Sequence, residues 1–190
     1  MTIDAALHGA LAAAFTRPIP KSAGAQVRYL VKQHHGSTRD VAQLLGVSQR
    51  TIERYVRDQI KKPRHDLADR MAAEVRRRWQ PQIRAKARKA AATTAGLMVD
   101  VRARFGFTAP VGTSDDARMR HLTLALPPHH AARLLDAQEH GATDRQLQRA
   151  TADVLGEVYF RGEVYFRDGG HRAHGLEVEL TDIEQIQFEL

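Results

Sequence analysis

The spacing of apolar residues changes near residue 96: upstream they recur every three or four positions, and downstream they alternate. Ile3, Leu7, Leu11 and Phe15 recur every four residues, which predicts an amphipathic first helix that stops before "RPIPK". Such a stripe either covers the helical core beside it, the commoner arrangement, or pairs with a second copy. "SAGAQVRYLVKQHH" predicts a supporting helix with Val27, Leu30 and Val31 on its apolar face. Two short helical segments, "TRDVAQLL" and "QRTIERYVRDQI", then meet at "LLGVS". Gly46 permits the tight turn and Ser48 is placed to cap the second segment. Val41, Leu45, Val47, Ile52 and Tyr55 fall where two crossing helices share a core, and Ala42 is small where they approach. Over residues 37–60 this joint pattern is that of a helix-turn-helix.

In "RRRWQPQIRAKARKAAATTAG", Pro81 breaks or restarts a helix and Gly96 ends it. After Gly96 the positions Leu97, Val99, Val101, Ala103, Phe105 and Phe107 alternate with mostly polar neighbours, predicting a half-buried strand. Leu122, Leu124 and Leu126 predict a second strand. "PPHHAARLLDAQEHGATDRQLQRATADVLGEVYF" predicts two helices separated at Gly141, with Thr143 as a cap. "GLEVELTDIEQIQFEL" predicts a strand through Leu176, Val178 and Leu180 followed by an acidic, apolar tail. The tandem "GEVYFRGEVYFR" repeats Gly156–Arg161 as Gly162–Arg167. Six extra residues keep facing in a strand but rotate a helix by about 240°, so extended or loop structure is expected there. The expected fold is two-part. An all-α helix-turn-helix domain spans 1–92, and a small α+β domain spans 93–190.

Charge sharpens this division. Residues 1–92 carry 19 Lys/Arg against 7 Asp/Glu, whereas 93–190 carry 10 against 15, within a chain of net charge +7. Positive charge confined to one half points to a polyanion held there, nucleic acid first and an anionic membrane surface second. The membrane reading is the weaker, because the basic half has no strongly apolar anchoring face. The outward positions of the second short helix are Gln49, Arg50, Glu53, Arg54 and Arg57. Gln pairs with adenine and Arg with guanine through two hydrogen bonds, and Glu accepts from cytosine or orients an arginine. Arg57, Lys61, Lys62 and Arg64 continue the charge toward phosphate. Arg76, Arg77, Arg78, Arg84, Lys86, Arg88 and Lys89 are read as an arm that tracks the DNA backbone, with a solvated face as the alternative. Trp79 either stacks on a base or packs.

The absence of cysteine removes disulfides and cysteine-rich zinc sites and fits a reducing cytoplasm. No apolar stretch approaches the roughly 18 residues needed to span a bilayer. A soluble, cytoplasmic, nucleoid-associated protein without membrane partners is expected. The histidine pairs His34/His35 and His129/His130 align poorly on a helix face, and His171/His174 lack a clear carboxylate partner, so no metal site is expected. No phosphate-binding loop, dinucleotide fingerprint or nucleophile triad is present, so the chain does not read as a self-sufficient polymerase or nuclease and no bound cofactor is expected.

"FGFTAPVGTSDD", Phe105 to Asp116, displays three hydroxyls, Thr108, Thr113 and Ser114, beside acids. Helix capping is one reading, since Ser and Thr before acids commonly cap, with Asp115 and Asp116 at the next helix start, the commoner role, or assisting a metal. A chemical attachment point is the other. The loop lies between two expected strands, at the rim of a sheet.

Over nearly its whole length the chain resembles the telomere-protecting terminal proteins (Tpg family) of actinobacterial linear chromosomes and plasmids. The resemblance runs through "AFTRPIPKSA", "RYLVKQ", "SQRTIERYVRDQIKKPR", "RRRWQPQIRAKARKAAATTAG", "RARFGFTA", "DDARMRHLTLALPP" and "VYFRDGG". It implies a protein primer rather than an enzyme, joined through a hydroxyl to the 5′ end of DNA and priming synthesis across the terminal gap. The implied partners are telomeric DNA ends, a telomere-binding companion protein and a DNA polymerase, whose active site supplies the divalent metal. The family's priming residue is a threonine and the matching region is "GTSDDAR", which implies Thr113, with Gly112 giving room. Two threonines are expected there and this chain has Thr113 followed by Ser114, so Ser114 is an alternative and Thr108 a weaker one. The duplicated "GEVYFR" departs from the single copy expected. The contrasting reading is a helix-turn-helix transcriptional regulator with a dimerising or ligand-sensing C-terminal domain.

Overall fold

The computed structural model describes residues 2–108, 114–160 and 177–190, the side chains of 114–116 excepted. Among these residues it combines eight α-helices with a three-stranded antiparallel sheet, a mixed α and β architecture. The chain divides into two compact units, Phe15–Pro81 and the pair of segments Met1–Ala14 and Gln82–Leu190. None of the described helices is long and apolar enough to cross a membrane.

Four helices build the Phe15–Pro81 unit: α2 (Ala23–Gln33), α3 (Thr38–Leu45), α4 (Gln49–Val56) and α5 (His65–Arg78). Each of the first three starts at a serine, Ser22, Ser37 and Ser48, whose side chain accepts from a backbone amide three residues on. Such caps satisfy donors that have no partner inside the helix. Gly46 closes α3 in the left-handed region, φ 62°, letting the chain reverse into α4 after two residues. Val27, Leu30, Val41, Leu45, Ile52, Met71 and Val75 form the core, each at most 1% exposed. α4 ends at Val56, short of the expected Ile60, and Asp58 turns left-handed at φ 54° just beyond it.

The second unit is a sheet in the order β2-β1-β3, built from β1 (Leu97–Thr108), β2 (Ser114–Leu126) and β3 (Glu177–Glu189). Alternation puts Leu97, Val99, Val101, Ala103, Phe105 and Phe107 of β1 on one face. With Leu122, Leu126, Val178, Leu180, Ile186 and Phe188 they meet α1 (Ile3–Ala13), α7 (Pro128–Glu139) and α8 (Asp144–Leu155) in one core. Thr143 and Gln146 make the reciprocal capping box that starts α8. Asp144 accepts from the amides of Ile3 and Asp4 at 3.0 and 3.4 Å, fastening the start of α1 to the start of α8.

Four sequence expectations need correction. First, the expected boundary at residue 92 is not where the chain divides. Ile3, Leu7 and Leu11 are buried in the sheet core rather than over the helices of the other unit, because α1 packs on β3, α7 and α8. Most of α6 (Pro81–Ala90) also belongs with the sheet. Arg88 draws it there by pairing with Asp136 at 3.2 Å and Glu139 at 2.6 Å on α7.

Second, the expected acidic tail is strand throughout. β3 absorbs an irregularity opposite Arg102–Arg104, where Asp182 takes φ 47°, and then resumes its alternation at Ile186 and Phe188. Third, "GEVYF" of the first copy is helical: Gly156–Phe160 prolongs α8 as a π-helical turn that carries Phe160 into the core against Phe105 and Phe107. Gly156 lies where a Cβ would stand 2.9 Å from Val178 Cγ2, so the glycine lets β3 come close. The second copy lies outside the described residues. Fourth, Ser114 opens a strand, not a helix, which removes the helix-cap reading there and places Asp115 and Asp116 in β2.

Candidate nucleic-acid interface and hydroxyl-bearing sheet end

Ile52 and Tyr55 anchor α4, being 0% and 3% exposed, and this fixes which of its side chains face outward. At 100° per residue, Arg50, Glu53, Arg54 and Arg57 fall on the side away from Ile52. Arg50, Arg54 and Arg57 are exposed and Glu53 is half-buried. Gln49 is exposed too, and its amide donates to Thr38 Oγ1 on α3 and to Glu53 Oε1, both at 3.1 Å. It therefore pins the two helix starts together. Thr38 did not stand out in the sequence, because nothing in its own spacing marks it as the partner of a residue eleven positions on. The arrangement presents several exposed guanidinium forks on one helix, suited to planar acceptors such as a guanine edge or a phosphate.

Lys61, Lys62 and Arg64 are exposed beyond α4. The arginine run splits: Arg76 is exposed, whereas Arg77 pairs with Glu74 at 2.7 Å and Arg78 pairs with the same carboxylate. Trp79 is half-buried, edge-on to Tyr29 with centroids 4.8 Å apart, and its indole N–H donates to the Arg17 carbonyl at 3.0 Å. It packs; it is not displayed for stacking. The Tyr29 hydroxyl donates to the Arg78 carbonyl, and burial raises its pKa against the opposing pull of Arg78. The unit as a whole holds 15 Lys/Arg against 6 Asp/Glu.

In the other unit Arg84 and Arg88 turn inward. Arg84 meets His8 Nδ1 at 2.8 Å, and burial lowers its pKa with help from neighbouring Arg88. Arg88 also donates to the Leu135 carbonyl. Neither guanidinium is displayed for a backbone-tracking arm. Lys86 and Lys89 of the same helix are exposed.

At the far end of the sheet, Thr108 closes β1 and is exposed. In the strand register it lies opposite both Ser114 of β2 and Glu177 of β3. The bulge between Phe105 and Phe107 precedes this pairing. Thr113 lies outside the described residues. It adjoins Ser114, however, so the two ends of its segment, Thr108 and Ser114, are held side by side by the sheet. The face of the sheet opposite the helices carries a polar network in which Asp100 accepts from Thr123 at 2.7 Å, His121 at 2.9 Å and Gln185 at 3.4 Å. The bonds from Thr123 and then His121 hold the Asp100 carboxyl below its ordinary range.

His129 and His130 lie ring to ring at 3.9 Å, His130 being buried. No group of three or more His, Asp or Glu suited to a metal occurs among the described residues. Comparison with protein-family models, curated proteins and solved structures finds no match for this chain.

Proposed function

We propose that the protein is a telomere terminal protein: the Phe15–Pro81 unit binds DNA as a helix-turn-helix, and a hydroxyl of the 108–114 segment becomes esterified to the 5′ end. The DNA half of the reading is carried by α4, buried through Ile52 and Tyr55 and displaying Arg50, Arg54 and Arg57 from a unit rich in unpaired cations. α4 would enter the major groove, with Arg50 and Arg54 at base edges and Arg57, Lys61, Lys62, Arg64 and Arg76 at phosphates. Lys86 and Lys89 are further phosphate contacts in this reading.

The priming half rests on the resemblance through "RARFGFTA" and "GTSDDAR", and it is supported by the sheet end that holds Thr108 and Ser114 side by side. The side-chain oxygen attacks the α-phosphorus of an incoming deoxynucleoside triphosphate. Its proton passes to a base, the bond to the β-phosphate oxygen breaks, pyrophosphate leaves and a protein–nucleotide phosphodiester remains. Positioning and charge neutralisation dominate such transfers, and the polymerase with its metal ions supplies the neutralisation. The chain's own part is to present an accessible hydroxyl. Thr113 is the first assignment, Ser114 and Thr108 the alternatives.

Incubation with the polymerase, telomeric template and labelled deoxynucleotide is expected to label the protein through a protease-sensitive, alkali-labile bond. Thr113→Ala is expected to lose the label while keeping DNA affinity. Labelling that survives in that variant reassigns the hydroxyl; absence of labelling in the wild type in a competent reaction favours a transcriptional regulator.

A further inference from the structure

Within the Phe15–Pro81 unit, four of the 15 cations are neutralised by carboxylates of the same unit. Arg28 pairs with Asp58 at 2.8 Å, Arg70 with Asp66 at 3.4 Å, and Arg77 and Arg78 with Glu74. Lys21, Lys61 and Lys62 are treated differently. All three are exposed, none has a carboxylate partner among the described residues, and all three line one open groove of about 550 Å³. The carboxylate lining that groove, Asp69, is engaged by His65 Nδ1 at 2.9 Å. The start of α2 borders the groove, but Ser22 already caps it, so the lysines and not the helix end mark the place.

Three lysines lining one groove give it a positive potential that suits an anion. Lysine supplies compact point charges rather than the planar fork that reads a base, which suits phosphate oxygens. Two of the three, Lys61 and Lys62, follow the end of α4 at Val56 by five and six residues, whereas Lys21 lines the groove from just before the Ser22 cap of α2. A helix seated in a DNA groove would carry such a cluster to the flanking sugar–phosphate backbone. We infer that this groove is a second DNA-contact site, holding backbone phosphates outside the base pairs met by α4. The inference rests on the DNA-binding reading above and adds Lys21 to it.

The test measures duplex affinity against salt for the full-length wild type, for the Lys21→Gln/Lys61→Gln/Lys62→Gln variant, and for Arg50→Ala/Arg54→Ala. Circular dichroism checks that each is folded. With each phosphate contact contributing about 0.9 to the slope of log K against log salt, the triple variant is expected to have a slope shallower by roughly 2 to 3. Its loss of affinity between about 50 and 200 mM salt is then about 40-fold smaller than that of the wild type. Its ratio of affinities for preferred and scrambled duplexes stays unchanged, whereas Arg50→Ala/Arg54→Ala lowers that ratio. A triple variant with the wild-type slope overturns the groove assignment, and the phosphate contacts of Lys61 and Lys62 with it, while leaving base contact by Arg50 and Arg54 intact. A wild type that binds no duplex overturns both. If the triple variant loses adsorption to phosphatidylglycerol–phosphatidylcholine vesicles with its DNA slope unchanged, the groove belongs to a lipid surface and the inference also fails.

Discussion

Both units contain arginines paired with carboxylates, Arg28, Arg70, Arg77 and Arg78 in the Phe15–Pro81 unit, and they differ in the cations left on display. In the sheet unit, Arg88, Arg102, Arg104 and Arg133 each pair with carboxylates of the same unit, at distances from 2.6 to 3.2 Å. Arg120 lies over the Phe160 ring at 5.2 Å. In the Phe15–Pro81 unit, Arg50, Arg54, Arg57, Lys61, Lys62 and Arg64 are exposed and without a carboxylate partner among the described residues. Residue type alone therefore separates nothing: an arginine braces a fold where an acid is packed beside it and faces outward where none is. Divided along the structural units, the charge is 15 Lys/Arg against 6 Asp/Glu in one and 14 against 16 in the other. The second unit is nearly balanced in charge.

The strongest way to break this comparison is through the cores. Phe105→Ala removes a fully buried ring that meets Phe160, with centroids 5.7 Å apart, and is expected to cost about 3–5 kcal/mol, read as a lower midpoint in urea by far-ultraviolet circular dichroism. A midpoint unchanged within error would contradict the burial on which the sheet unit depends. Next come the arginines. Arg54→Ala is expected to weaken duplex binding by about 1–3 kcal/mol, roughly five- to 150-fold, whereas Arg88→Ala should leave binding nearly unchanged and lower the unfolding midpoint instead. Equal losses of affinity from both would erase the distinction between braced and displayed cations.

The smallest effect concerns the sheet face opposite the helices. With its pKa depressed by Thr123 and His121, Asp100 contributes stability that is present above the ordinary carboxylate range and is lost as pH falls through the lowered value. Thr123→Val removes one donor, so the titration of Asp100, followed by NMR, is expected to move upward and the loss to begin at higher pH. An unmoved titration would show that the hydrogen bond does not set it.

What was legible in the sequence follows from the range of the physics involved. The α3–turn–α4 pair was readable because its determinants are local: a serine at each helix start, Gly46 at the one left-handed turn, and Ile52 and Tyr55 three residues apart. The strand alternation of β1 was readable for the same reason. The destination of α1 was not, because a stripe of Ile3, Leu7 and Leu11 specifies that something apolar covers it but not which of two cores does so. α5 went unread although Leu67, Met71 and Val75 recur every four residues, since charged residues dominate around them. The helical stretch read through "GEVYF" matches the extension of α8, but the duplication argued for an extended form there, and the tertiary contacts of Phe160 decided the local shape. At the candidate interface, exposure of Arg50, Arg54 and Arg57 followed from periodicity, but the carboxylates facing Arg77, Arg78 and Arg88 are matters of packing. Lys21 was invisible for a related reason, lying forty residues from the lysines it joins.

Covalent attachment is the central claim, and the most direct measurement is mass spectrometry of whatever remains bound to nuclease-treated ends of the linear replicons isolated from cells. The account predicts a peptide spanning residues 108–114, carrying a nucleotide on Thr113, or on Ser114 or Thr108. Ends that carry no peptide from this chain would contradict it.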